Sequence, residues 1–337
     1  MKSEIYSKIR REYEDKRANA LAKADARLEE VRAKVAGFVE LEHEIGQQSL
    51  DVLKDILKRP EETEKLADEL GKKTGEKITQ KLRLLTAAGF PLDYLEPKFE
   101  CSECSDTGYA KGKEGEQLCN CFKQKLLENM FEESGLVRGK TAQFDKFDAK
   151  LFSDTKDEAR FLIKESPRNQ ILKIKARCEK FINEDFGQVD GKGLLFFGNT
   201  GTGKTFMAQC IANELLLKGR TVAYVSAPLM FDKINEARML FGEDEYEDYF
   251  SGLKDAELLV IDDLGTETST EAKLSNMLQL LNARETLDLT SPHKTIISTN
   301  MNLSAIREKY DERIYSRIIG KFVTCQFGGE DLRIVMK

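Results

Sequence analysis

Gly198 to Thr205 reads GNTGTGKT, a G-x-x-x-x-G-K-[ST] pattern placed directly after the apolar run GLLFF. Small residues in such a loop let consecutive backbone N–H groups point inward at a nucleotide's phosphates. Lys204 is the residue type that meets the β and γ oxygens, and the Thr205 hydroxyl is a magnesium ligand. The helix that FMAQCIANELL predicts next lends its positive N-terminus. Gly198, Asn199, Thr200, Gly201, Thr202, Gly203, Lys204 and Thr205 are therefore candidate ATP-binding residues. Farther on, AELLVIDDLGTE runs four apolar residues into Asp262 and Asp263. A strand ending this way delivers an acid to Mg2+, directly or through water, and that role falls to Asp262. Asp263 is placed to polarise the attacking water, with Glu267 as a second candidate. KTIISTN is a further buried strand, ending in Asn300, whose amide is suited to hold that water near the γ-phosphate.

Two arginines follow in YDERIYSRIIG. Arg313 and Arg317 are four residues apart and share a face if the segment is helical. A guanidinium offered to a neighbouring subunit's site would stabilise charge on the transferring phosphoryl group. Arg317 is the candidate finger and Arg313 a supporting residue. Arg333, in GGEDLR, is a candidate γ-phosphate contact.

A second chemistry lies upstream. Cys101, Cys104, Cys119 and Cys121 are spaced C-x2-C, fourteen residues, then C-x-C. Two close pairs can supply four thiolates to Zn2+, and so short a segment cannot bury a core, so metal would supply its folding free energy. Reduced buried cysteines and an iron–sulfur cluster are the alternatives. Cys178, Cys210 and Cys325 are isolated and read as core.

These groups need elements to position them. From about residue 171, apolar runs (GLLFF, TVAYV, ELLVID, KTIIST, FVTCQF) alternate with helical segments, which predicts α/β architecture around a parallel sheet. Residues 1–95 read as an α-helical module. Apolar residues recur in steps of three and four from Leu21 to Ile56, broken by Glu42 and Ser49, with Gly37 and Gly46 against one uninterrupted coiled coil. A helical hairpin packed on itself is the favoured reading, an intermolecular coiled coil the other. The expected division is 1–95 helical partner-binding module, 96–130 zinc knot, 131–170 linker and 171–337 ATPase domain. The chain has 337 residues and a net charge of −6, so nucleic-acid contact requires a local basic patch. LMFDKINEARM offers Phe231, Lys233 and Arg238 for single-stranded DNA, and a plain amphipathic helix is an equal reading. No apolar run approaches membrane-spanning length and the first residues carry no secretory h-region, so a cytoplasmic protein without membrane contact is expected.

GNTGTGKT, LLVIDDLGTE, STN and ERIYSRIIGKF, in that order, resemble the AAA+ family. More narrowly, the double Asp followed by LGTE resembles the DnaC/DnaI-type bacterial helicase loaders and the related IstB-type transposition helpers. The likeness covers about residues 171–337, and the CSECSDTGY…CNC segment is similar to the zinc-binding region of DnaI-type loaders. The resemblance implies an AAA+ P-loop core of five parallel strands without a substantial lid. It implies a slow ATPase, since many relatives carry Glu where Asp263 stands. The implied partners are a replicative hexameric DNA helicase, gripped by the N-terminal part, single-stranded DNA, and neighbouring copies assembled through the ATP sites. The function this implies is ATP-dependent loading of that helicase in replication initiation. A transposition helper that binds duplex DNA, and an ATP-gated adaptor with little hydrolysis, are the alternatives.

Overall fold

The structure, a computed structural model, describes residues 2–58, 63–112, 115–130, 142–241 and 243–335. The chain divides into two compact units, Arg10–Lys113 and Met1–Ile9 with Glu114–Lys337. Among the described residues no helix is long and apolar enough to cross a membrane.

The helical unit is built from most of α1 (Lys2–Lys34), α2 (Phe38–Lys58) and α3 (Thr63–Ala87). Gly37, at φ +78°, takes the left-handed conformation that L side chains avoid, and the chain turns there. The apolar stripe from Leu21 to Ile56 is thus split between two helices. Gly46 lies inside α2 and does not break it. Val31, Val35, Phe38 and Leu85 bury a small core, flanked by Leu84, Phe90 and Tyr94. Glu42, the polar interruption of the stripe, accepts from Lys81 at 2.7 Å and Arg32 at 2.9 Å. Glu44 accepts from Lys77 at 2.6 Å. These pairings descend along α3 as they ascend along α2, so the two helices are antiparallel.

Two short strands, β1 (Tyr109–Gly112) and β2 (Gly115–Leu118), pair with each other in the cysteine segment, which straddles the division in sequence. After it come α4 (Asn120–Met130), α5 (Glu158–Phe161) and α6 (Pro167–Lys180). The larger unit then alternates β3 (Gly193–Gly198), α7 (Lys204–Leu217), β4 (Val222–Ser226), α8 (Ala227–Glu236), α9 (Glu243–Asp255), β5 (Leu258–Leu264), α10 (Glu271–Asp288) and β6 (Lys294–Thr299). It closes with α11 (Leu303–Lys309), α12 (Glu312–Lys321), β7 (Phe322–Phe327) and α13 (Leu332–Val335).

The five strands are parallel, in the order β4-β5-β6-β3-β7. The apolar runs of β3, β4 and β5 are nearly continuous because both faces are covered there, whereas β7 at the edge has an exposed Thr324. Leu195, Phe197, Leu259 and Ile261 join one core with residues of α8, α9 and α10. Leu194, Phe196, Leu258 and Val260 join the other with residues of α6 and α7. Arg284 of α10 is buried and ties this frame together. It donates to the carbonyls of Leu253, Lys254 and Ala256 at the end of α9, to the Lys294 carbonyl, and to Thr295 Oγ1.

Two stretches differ from the expected division. Leu127 of α4 packs in the first core, and Gln124 brackets the edge strand β4, donating to Val222 O at 3.3 Å and accepting from Val222 N at 2.7 Å. Of the expected linker 131–170, residues 131–141 lie outside the described residues. Residues 142–170 pack on the second core through Phe144, Phe147, Leu151 and the buried Phe152.

Candidate nucleotide site

The phosphate loop connects β3 to α7, as its motif requires. Gly198 (φ +137°) presses on β7: a Cβ there would lie 2.0 Å from the Phe327 carbonyl oxygen. Gly201 (φ +76°) is held by its left-handed backbone, while the Asp331 carboxylate 1.9 Å from where a Cβ would lie is a side chain that could swing aside. Lys204 opens α7 and is buried. Its ammonium donates to the carbonyls of Gly198 at 2.8 Å and Asn199 at 2.7 Å, and to Asn300 Oδ1 at 2.8 Å. Burial lowers its pKa from 10.5 to about 8, against the opposing pull of Asp263 and Asp262. Thr202 Oγ1 ties the loop to Asn199 O at 2.8 Å.

Consecutive strand residues face opposite sides, yet Asp262 and Asp263 both serve one end of the sheet. A bulge reconciles this. Ile261 pairs with Ile297 and Leu264 with Thr299, three steps on β5 against two on β6. Asp263 sits in the bulge at φ +55° and faces the cavity. Asp262 is buried beside it and accepts from the Tyr224 hydroxyl at 2.6 Å. Desolvation, then the Asp262 charge, raise the pKa of Asp263. Burial and Asp262 raise that of Tyr224 far above its usual range.

A cavity of about 610 Å³ joins these groups, a size that suits a small-molecule ligand. Thr200, Gly201, Gly203, Lys204, Thr205, Asp263, Asn300 and Arg333 line it. Arg333 is held on the wall by Asp331, with contacts of 2.9 and 2.7 Å. Gly198, Asn199, Thr202 and Asp262 do not line it; Thr202 and Asp262 are buried and Asn199 is exposed. Phe147, Leu151, Phe152, Ile171 and Leu332 give the same cavity an apolar lining. Sequence reasoning missed these, and the only signal was the spacing of apolar residues in FDKFDAKLF. It missed Tyr224 as well, whose part depends on β4–β5 register.

Glu267, the second candidate for water activation, does not face the cavity. It is 6 % exposed, accepts from Gly265 N at 2.9 Å and is bonded by the Tyr310 hydroxyl. Arg317 also lies elsewhere. It lines a separate pocket at the starts of β3, β6 and β7, bonded to Asn282 and 3.9 Å from Glu285. The length of β3, about 17 Å, separates it from its own phosphate loop. Arg313 is exposed and paired with Asp311 at 2.7 Å. Phe231, weighed as a stacking residue, is 1 % exposed in the core and presents no ring to a base. Lys233 is 3.3 Å from Glu236, and Arg238 lies over the Tyr246 ring.

The four clustered cysteines come together: their sulfurs all lie within 4.8 Å of one another, Cys104 and Cys119 buried. The buried Asp106 carboxylate accepts from Glu100 N at 2.9 Å and Cys101 N at 2.8 Å. Thr107 Oγ1 donates to Cys104 O at 2.7 Å. Cys119 O receives the N–H groups of Phe122 and Lys123 at the start of α4.

A parallel sheet with this strand order, a phosphate loop after β3, acids at the end of β5 and a polar residue ending the intervening β6 define a P-loop nucleotide-binding fold of the AAA+ type. The chain belongs to the family of IstB-like ATP binding proteins, whose model matches residues 124–323, more than half of its length. It is similar to the replicative helicase loader DnaC of Escherichia coli K12, 27 % identical over 143 residues, which is 42 % of this chain and 56 % of that protein. It is 24 % identical over 203 residues to the replicative helicase loader DnaI of Bacillus subtilis 168, covering 53 % and 58 % of the two chains. The alignments thus span little more than half of these relatives. A crystal structure of the DnaC helicase loader matches 56 % of this chain and 98 % of its own, at 22 % identity and a TM-score of 0.43.

Proposed function

We propose that the chain is an ATP-dependent loader that binds a replicative DNA helicase and delivers it to single-stranded DNA, with hydrolysis as the step that resets it. The observation that supports this reading best is the convergence of Lys204, Thr205, Asp263 and Asn300 on one cavity, in a chain similar to proteins named helicase loaders.

In this reading the loop amides and Lys204 hold the β- and γ-phosphates, and the base rests on the apolar wall of Phe147 and Phe152. Thr205, and Asp262 directly or through water, would hold magnesium, which would supply positive charge to the phosphates. The Tyr224 hydroxyl fixes the Asp262 carboxylate for that task. Asp263 takes the proton of the attacking water while Asn300 orients it. Arg333 leaves Asp331 for the γ-phosphate. Arg317 is too far from its own loop to act there, so it serves a neighbour's site. Cys101, Cys104, Cys119 and Cys121 hold zinc. Sulfurs about 3.8 Å apart, as tetrahedral bonds of about 2.3 Å demand, fall within the spread of the cluster.

The test is co-purification of the full chain with its host's replicative helicase in ATP and in ADP, followed by transfer of that helicase to single-stranded DNA. Nucleotide-dependent capture and transfer are the expected results. Failure of both overturns the loader reading. Retention of duplex DNA would then favour a transposition helper. An ATP-gated adaptor would lose function with Lys204→Ala and keep it with Asp263→Asn.

A further inference from the structure

We propose that Glu267, Tyr310 and Lys309 form a clamp that positions Asp263 for water activation; this rests on the hydrolytic reading of the cavity. Asp263 has an unusual support problem. It sits in a bulge with left-handed backbone, and Gly265, two residues on, is at φ +102°. Left-handed backbone at a residue other than glycine persists only where its surroundings hold it, and freedom there would move the carboxylate.

The hydrogen bonds under the turn remove that freedom. Glu267 Oε2 accepts from Gly265 N at 2.9 Å. The Lys309 ammonium donates to Gly265 O at 2.5 Å and Glu267 O at 2.7 Å. Thr266 Oγ1 donates to the Asp263 carbonyl at 2.9 Å. The other Glu267 oxygen is bonded by Tyr310, itself 3 % exposed. The same turn is stitched to β6, where Thr299 Oγ1 donates to Leu264 O at 2.5 Å and receives Met301 N at 3.1 Å. Asn300 lies between those two residues. The acid and the amide that share the water are thus held by one network.

The chemistry of the clamp fits positioning better than simple adhesion. A buried carboxylate is costly to desolvate, and an apolar side chain would hold two segments together at less cost. A carboxylate bonded on one side to Gly265 N and on the other to a tyrosine fixes a distance, which apolar packing does not. Lys309 holds the backbone on both sides of the turn through the Gly265 and Glu267 carbonyls. Glu267 itself does not line the cavity and touches no reacting atom.

The experiment compares kcat for ATP hydrolysis with Kd for ATP in the full chain and its Tyr310→Phe, Glu267→Ala and Glu267→Gln variants. Tyr310→Phe and Glu267→Ala are expected to lower kcat about tenfold or more while Kd stays unchanged. Glu267→Gln, which can still accept from Gly265 N, should recover most of the rate. In an Asp263→Asn background Tyr310→Phe should cost nothing further, since it acts through that carboxylate. Variants that lose thermal stability but keep kcat, or that weaken Kd and kcat together, overturn the clamp. A wild-type chain without turnover overturns the hydrolytic reading as well, so the wild-type control separates the two failures.

Discussion

Lys204 is buried among carbonyls with its pKa drawn down to about 8. Phosphates would restore its charge, so ATP binding above that pH must take up a proton. The affinity for ATP should therefore hold at pH 7 and fall as pH rises through about 8 and beyond. Calorimetry in buffers of different ionisation enthalpy would show the proton uptake. Asp263 behaves oppositely. Its folded pKa is raised above the unfolded value. Stability from this group is present below the unfolded pKa and lost as pH rises through the folded one. At neutral pH its ionised form strains the fold, so Asp263→Asn should raise Tm while lowering kcat about a hundredfold or more. Melting curves and phosphate release would check both. The phosphate loop, the two acids and Asn300 were legible in the sequence because their chemistry dictates residue type at fixed spacing. Tyr224 was not, because only strand register places its hydroxyl on Asp262. Glu267 was legible as an acid near the site, and its burial under the turn was not.

At the scale of elements, β3, β4 and β5 were legible because each is a short apolar run buried on both faces. The helical stripe was harder. Gly37 and Gly46 look alike in sequence, yet only Gly37 adopts the left-handed turn. In the segment 142–152 the spacing of Phe144, Phe147, Leu151 and Phe152 was the one signal, and it marks a buried face without showing that this face lines the cavity. Arg284 was silent, a charged residue on a helix being ordinarily a solvated one. Its planar fork meets four carbonyls and a hydroxyl between 2.6 and 2.9 Å. An ammonium cannot reach them all, so Arg284→Lys should cost about 2–4 kcal/mol, measured by denaturant unfolding.

At the scale of the whole molecule, Arg317 and Lys204 sit at opposite ends of the sheet, so an active site shared between copies should complement. Lys204→Ala and Arg317→Ala should each be nearly inactive alone. Mixed, the first supplies the finger and the second an intact phosphate loop, and ATP turnover should partly return. No recovery at concentrations where the wild-type chain assembles would remove Arg317 from catalysis.

The side chain of Gln124 against Val222 has a consequence for the lifetime of the protein. β4 is the outermost strand, and an uncovered strand is a template on which another chain can add. Here α4 lies over it and includes Cys121, so a metal held by the four cysteines, as the zinc reading has it, would fix that cover in place. Stripping metal with a chelator, or oxidising the thiols, should uncover β4 and turn a clear solution turbid, with thioflavin-positive aggregates. Gln124→Ala should bring the same onset forward without touching a cysteine.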